Sequence, residues 1–196
     1  MPDPVVLGFD TSAAHCAAAL LRGGAVLAHR HEDMGKGQAE RLFPLFGDLL
    51  AEADLTWGDL DVIGVGVGPG NFTGIRIAVA AARGLALSLG IPAVGVTAPE
   101  AAALDLPRPC RVVLPLRAGQ VVWQDFGTGA GDRPQQAAAG SLPPGPAPAA
   151  PAVPPAIAIA RIALARRAAP GPRPAPLYLR PADAAPARDA APLILP

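Results

Sequence analysis

A chain of 196 residues with 16 acidic side chains, 16 basic ones and three histidines is long enough to bury a real core, as one large domain or two small lobes. Its zero formal net charge excludes a nucleic-acid binder that works by bulk electrostatics, and an aromatic fraction of 4% excludes a base-stacking platform as its main business. Two distant cysteines, Cys16 and Cys110, give neither a metal-ligand spacing nor a disulfide framework; they suit a reducing compartment and read as small buried hydrophobes.

The basic residues are fifteen arginines and Lys36, which with abundant Ala, Gly and Pro reads as codon drift rather than function. The sequence opens without the basic flank and apolar run of a signal peptide. Its most apolar helix, near Ile75–Leu89, is interrupted by Arg76, Arg83 and Gly84 and reads as too short and too charged to span a bilayer. The expected location is the cytoplasm, with no membrane partner.

In chain order, Val5–Asp10 is an apolar run that delivers Asp10-Thr11-Ser12 at its tip, the profile of a buried strand. His15–Leu21 and Ala25–His31 read as two more strands joined by the Gly23-Gly24 turn. Apolar residues at 39, 42, 43, 46, 49, 50 and 53 predict a helix, starting near Leu42 or bent there by Pro44. Val62–Val67 is a further buried strand. It runs into the glycine-rich loop 64–74 and a helix over Ile75–Leu89, closed by Gly90 and Pro92. Ala93–Val96 is another short strand. Three antiparallel strands followed by helix, strand, helix, strand make a mixed α/β sheet.

Beyond residue 104 the pattern fragments. Arg111–Leu116 and Gln120–Phe126 read as a strand pair, Ala156–Ala168 as a helix, and Leu177–Arg180 as a short extended piece. Proline occurs 10 times in residues 1–140 and 15 times in 141–196. The stretch Ser141–Pro155 is therefore expected to be a linker or a solvated polyproline-like loop.

The loop GVGVGPGNFTG over residues 64–74 invites a phosphate reading, because glycines let backbone N–H groups approach an anion at a helix start. It lacks a Walker lysine and the acidic residue of a dinucleotide fold, so a tight strand-to-helix turn capped by Asn71 or Thr73 outweighs that reading. Asp10, Thr11 and Ser12 with Gly68, Gly70 and Thr73 stay a candidate degenerate nucleotide site. His29 and His31 share a strand face without a third ligand, and His15 stands apart, so neither a metal site nor a hydrolytic triad assembles. The two helices point elsewhere. Leu45 lies outside the main stripe of the first, and the second is apolar nearly all round, with small Ala80, Ala81 and Gly84 leaving room for another helix. A partner interface through Leu42, Leu45, Phe46, Leu49, Phe72, Ile75, Arg76 and Val79 is expected. On this view Ile75→Asp would break a complex and leave the fold intact.

Phe9-Asp10-Thr11-Ser12, Glu40-Arg41-Leu42-Phe43-Pro44-Leu45 and Gly68-Pro69-Gly70-Asn71-Phe72-Thr73-Gly74-Ile75-Arg76-Ile77 resemble the TsaB (YeaZ) family in order and spacing. Gly84-Leu85-Ala86, Val94-Gly95-Val96 and Leu177-Tyr178-Leu179-Arg180 continue the likeness. The resemblance implies an α/β fold of the actin/Hsp70/sugar-kinase (ASKHA) class, with two RNase-H-like lobes, here 1–104 and a shortened 105–196 containing the Pro/Ala-rich loop at 141–155. It implies a non-catalytic subunit for N6-threonylcarbamoyladenosine at position 37 of tRNA. Such a subunit binds the TsaD transferase, with the TsaE ATPase joining, and forms a homodimer when alone. It carries no cofactor of its own; ATP and Mg²⁺ are used by the assembled complex, which also holds the tRNA.

The chain departs from the family pattern at Gln38, where a histidine is usual, at Arg117-Ala118-Gly119-Gln120-Val121-Val122, and in its shortened second lobe. The alternative is an ATP-dependent phosphotransferase of the same fold, using Asp10 and Gly68–Gly70 with Mg²⁺. A peptidase ranks last, because no nucleophile–base pair is present.

Overall fold

The computed structural model describes residues 3–129 and 133–179. Five strands form one sheet: β1 (Val5–Asp10), β2 (His15–Arg22), β3 (Ala25–Asp33), β4 (Val62–Gly66) and β5 (Ala93–Val96). Their spatial order is β3-β2-β1-β4-β5. The first three are antiparallel neighbours, and β4 and β5 run parallel to β1. This is the RNase-H-like arrangement that the resemblance implies.

Strand periodicity divides the core between the two faces of this sheet. Leu7 and Phe9 of β1 face α1 (Gln38–Glu52) and α2 (Phe72–Leu89), where Phe9 packs on Phe46 with ring centroids 4.7 Å apart. Val6 of β1 faces the opposite way, with Ala17, Ala19, Val62 and Val94, onto α4 (Pro155–Arg166). The boundary expected at residue 104 therefore does not separate the packing units. α4 comes from the far half of the chain, yet it covers the first sheet.

That contact is close because both sides are small. A Cβ built on Gly8 lies 2.6 Å from the Ala156 carbonyl oxygen and 2.6 Å from the Ala160 Cβ. Gly8→Ala is expected to cost about 1–3 kcal/mol through overpacking, read as a lower urea midpoint with an unchanged slope.

Of the two expectations for the first helix the structure takes the one that runs through Pro44, and the second helix starts earlier than the sequence suggests. α1 begins at Gln38 and carries Pro44 inside it. α2 begins at Phe72 behind an Asn71 cap, whose side chain accepts from the Thr73 N–H at 3.2 Å. By length and composition α2 is apolar enough to cross a membrane, against the expectation that it is too short and too charged. Its Ile75, Ala78, Val79 and Ala82 are nonetheless buried in the core shared with α1 and the sheet.

The second half contains a three-stranded antiparallel sheet, β6 (Cys110–Pro115), β7 (Gln120–Phe126) and β8 (Gln135–Ala138), joined to the first by α3 (Ala98–Ala102). The expected elements include neither β8 nor α3, although the Thr97 and Glu100 capping box and Pro99 mark the start of α3. The proline-rich stretch 141–155 is the mostly exposed, irregular connection from β8 to α4 that the sequence predicts, but part of it is tied to β6. Buried Arg111 donates to the Pro143 and Pro144 carbonyls at 2.6 and 3.3 Å, and Ala149 N–H donates back to the Arg111 carbonyl at 2.9 Å. The stretch lies along β6 and covers that edge. Further on, Leu177 N–H donates to the Val67 carbonyl at 2.8 Å and Leu177 packs into the first core. Arg180 lies outside the described residues.

Candidate functional site

The β1 tip and the loop before α2 meet, as a phosphate site would require, but they close on each other. Asp10 is 5% exposed. Its carboxylate accepts from the Ser12 N–H and hydroxyl at 3.2 and 3.0 Å and pairs with His15 Nε2 at 2.8 Å. The Thr11 hydroxyl donates to the Gly74 carbonyl at 2.7 Å, and the Asn71 N–H to the Ser12 carbonyl at 2.6 Å. A Cβ on Gly70 would stand 2.2 Å from the Ser12 oxygen, one on Gly74 1.8 Å from the Thr11 oxygen, and one on Gly66 2.0 Å from Asp10 Oδ1. The glycines serve this strand-to-loop contact. Gly68, at φ +90°, takes a conformation glycine adopts freely and sits against Ile75. Thr73 is exposed in the first turn of α2.

Gln38 completes the seal. It is 5% exposed, and its amide nitrogen is shared among the carbonyls of Thr11, Ala13 and His15 at 3.3, 2.8 and 2.6 Å. Read in the sequence only as a departure from a family histidine, it is the brace that holds the β1–β2 turn to the start of α1. Gln38→Leu strands these acceptors and is expected to cost about 1–3 kcal/mol, with faster amide exchange over residues 11–15 as the specific sign.

The neighbouring histidines are structural in placement. His15 and His31 rings lie 4.6 Å apart, and His29 Nε2 is buried without a hydrogen bond. Burial, then the His31 and Arg30 charges, hold His29 below its usual pKa. Burial pushes the Cys16 thiol up to about 11, in keeping with an inert core cysteine. Among the described residues no group of three or more His, Cys, Asp or Glu side chains is arranged to hold a metal ion.

The expected interface residues split into two sets. Leu42, Leu45, Phe46, Leu49, Ile75 and Val79 are between 0% and 4% exposed and belong to the chain's own core; of these only Leu42 also lines the outward groove between α1 and α2. The apolar face that α1 turns to its own core comprises Leu42, Leu45, Phe46, Leu49 and Leu50; it takes in Leu45 and leaves Ala39 and Phe43 of the expected stripe outside. The expectation for Ile75→Asp is corrected accordingly, since a carboxylate there would be buried unpaired. Phe72 and Arg76 do reach the surface. Phe72 stacks on Tyr178 with centroids 4.9 Å apart, the Arg76 guanidinium lies 3.9 Å over the Phe72 ring, and Arg76 Nε donates to the Tyr178 hydroxyl at 3.0 Å.

What remains outward is a groove of about 560 Å³ between α1 and α2, with Ala39, Phe43, Ile77, Ala80, Gly84 and Leu85 in its walls. Phe43 is 47% exposed, and Leu87, on the outer side of α2, is 81% exposed. Ala80, Ala81 and Gly84, the small residues the sequence marks as room for another helix, all line it. Phe43, Ile77 and Leu85 were missed as surface residues. Phe43 belongs to the apolar stripe that predicts the helix, so its exposure has no signal in the spacing. Arg41 stiffens this region by bridging Glu32 of β3 and Asp48 of α1, at 2.7 and 2.8 Å.

Comparison with known proteins places these features in a family context. A family model described as TsaD, tRNA N6-adenosine threonylcarbamoyltransferase, matches residues 31–127. An uncharacterized protein of Mycobacterium bovis is 34% identical over 92% of this chain and 94% of its own length. The tRNA threonylcarbamoyladenosine biosynthesis protein TsaB of Escherichia coli is 32% identical over 62% of this chain, which spans only 54% of that relative. The solved structure of YeaZ from Pseudomonas aeruginosa superposes with a TM-score of 0.58 at 32% identity, covering 69% of this chain and 67% of that one.

Proposed function

The chain belongs to the TsaB/YeaZ family, with an RNase-H-like, ASKHA-class fold and a small second lobe, and from that premise we propose that it is a non-catalytic subunit of tRNA threonylcarbamoyladenosine formation. In this reading it docks on a TsaD transferase, TsaE joins the assembly, and tRNA, ATP and Mg²⁺ are handled by the complex in the cytoplasm. Alone it forms a homodimer through the same face. The observation that carries the reading is the apolar α1–α2 groove, left open beside a strand tip whose polar groups are spent on internal bonds.

The docking face is the groove together with the outer side of α2, from Phe72 and Arg76 through Ala80 and Gly84 to Leu87. Small residues at 80 and 84 permit close helix approach, and Phe43 and Leu87 offer the side chains with most area still to bury.

Depletion of the chain in its own organism tests the function. N6-threonylcarbamoyladenosine in tRNA digests is expected to fall on depletion and to return with the wild-type chain. Unchanged levels of the modified nucleoside after depletion would refute it.

A further inference from the structure

Tyr178, near the far end of the described chain, lands on the start of α2, where it meets a side chain 102 residues away in sequence. Leu177 beside it packs into the first core and donates its N–H to the Val67 carbonyl at 2.8 Å, so the ring is delivered from fixed backbone. Tyr178 stacks on Phe72 with centroids 4.9 Å apart, the Arg76 guanidinium lies 3.9 Å over the Phe72 ring, and Arg76 Nε donates to the Tyr178 hydroxyl at 3.0 Å. A guanidinium held on a ring and by a hydroxyl has already lost much of the freedom that binding would remove.

Only Nε is spent, and on a neutral hydroxyl, so Arg76 keeps its full charge and both Nη groups. Among the described residues no carboxylate lies within ion-pair distance of it, and α2 contains no acidic residue. The Tyr178 hydroxyl, having accepted from Nε, still has its own proton to donate. Donors beside a positive charge select an anionic acceptor, and the two Nη groups match the paired oxygens of a carboxylate. A tRNA phosphate has similar chemistry, but the surroundings favour a protein. Five large apolar or aromatic side chains are exposed among the described residues, and four of them, Phe43, Phe72, Leu87 and Tyr178, belong to α1, α2 or this contact. Such rings and branched chains, with an arginine among them, are what a protein partner buries.

We propose that Arg76 is the charge anchor of the docking face and takes a carboxylate of the TsaD transferase, with Tyr178 as its positioning residue; this rests on the docking reading above. Isothermal titration of the full chain into TsaD of the same organism, at low and at high salt, tests it. Arg76→Gln is expected to bind about ten-fold more weakly than wild type, with the gap narrowing at high salt. Tyr178→Ala is expected to come close to that loss. Tyr178→Phe keeps the stack and loses only the hydroxyl, and is expected to cost about three-fold. Arg117→Gln, at an exposed arginine between β6 and β7, is expected to leave the affinity unchanged and so exclude a bulk charge effect. Asp183→Asn removes the next carboxylate along the sequence after Tyr178, and is also expected to leave the affinity unchanged. Thermal melts establish that each variant is folded. No binding by the folded wild type would overturn the docking reading itself. With the wild type bound, four results would each overturn the anchor alone: an Arg76→Gln loss no larger than that of Arg117→Gln; wild-type affinity in Tyr178→Ala; tighter binding by Asp183→Asn, the sign of a pair within the chain; or weaker tRNA binding by the Arg76→Gln complex at unchanged TsaD affinity.

Discussion

Arg111→Met is expected to destabilise the chain by about 3–5 kcal/mol, the cost of leaving one member of a buried ion pair alone. Arg111 and Asp125 have side chains 4% and 10% exposed, and the guanidinium grips the carboxylate at 2.6 Å. The same guanidinium lies 4.7 Å over the Trp123 ring and reaches the Pro143 and Pro144 carbonyls. Gly145 sits so close that a Cβ there would fall 2.1 Å from Arg111 Nη2. One side chain therefore ties β6, β7 and the proline-rich cover together. Set against a typical total stability of about 5–15 kcal/mol, the loss is severe. Urea unfolding is the measurement. Pairing the change with Asp125→Leu is expected to recover a large part of the loss, since no buried carboxylate then stands alone; equal losses in the single and double variants would place the stability elsewhere.

Leu87→Asp and Ala80→Asp are expected to abolish docking on TsaD while leaving the melting temperature nearly unchanged, because both positions face solvent in the free chain. Ile75→Asp behaves in the opposite way. Ile75 is 0% exposed beneath the same helix, so a carboxylate there is expected to unfold the first lobe before docking can be measured. Size exclusion beside circular dichroism separates the two outcomes. Folded Leu87→Asp protein that still co-elutes with TsaD would remove the outer side of α2 from the docking face.

These two cases mark how far the sequence could be read. Short-range signals were legible: the Gly23-Gly24 turn, the apolar run ending at Asp10 and the Gly90-Pro92 stop each act within a few residues, and β1 to β5 and the C-terminal end of α2 stand where they point. Long-range placements were not. Whether α4 covers the first sheet depends on Gly8 and Gly64 meeting Ala156, Ile159 and Ala163 far along the chain, a fit of shapes with no local signature. The proline-rich stretch is mostly exposed, as its lost donors suggest, yet its Pro143 and Pro144 carbonyls are taken by a buried arginine 32 and 33 residues upstream.

The site divides along the same line. The spacing within α1 and α2 marked most of an apolar stripe, misplacing Ala39, Phe43 and Leu45, and that stripe is the side that builds the core. The docking face had to be found from what the core left over, Phe43, Ala80, Gly84 and Leu87, and burial decides that rather than hydrophobicity. The Asp10-Thr11-Ser12 tip and the loop at 68–74 were legible as neighbours. That they satisfy each other through Gln38, Thr11 and Asn71 is visible only in three dimensions.

The central claim is that this chain acts by docking on a transferase. Its most direct test is to mix the purified chain with TsaD of the same organism and measure the mass of the eluting species by size exclusion with light scattering. A stable one-to-one or two-to-two species, lost with Leu87→Asp, is the result the account predicts. Two proteins that elute separately at every ratio, with the wild-type chain folded, would contradict it.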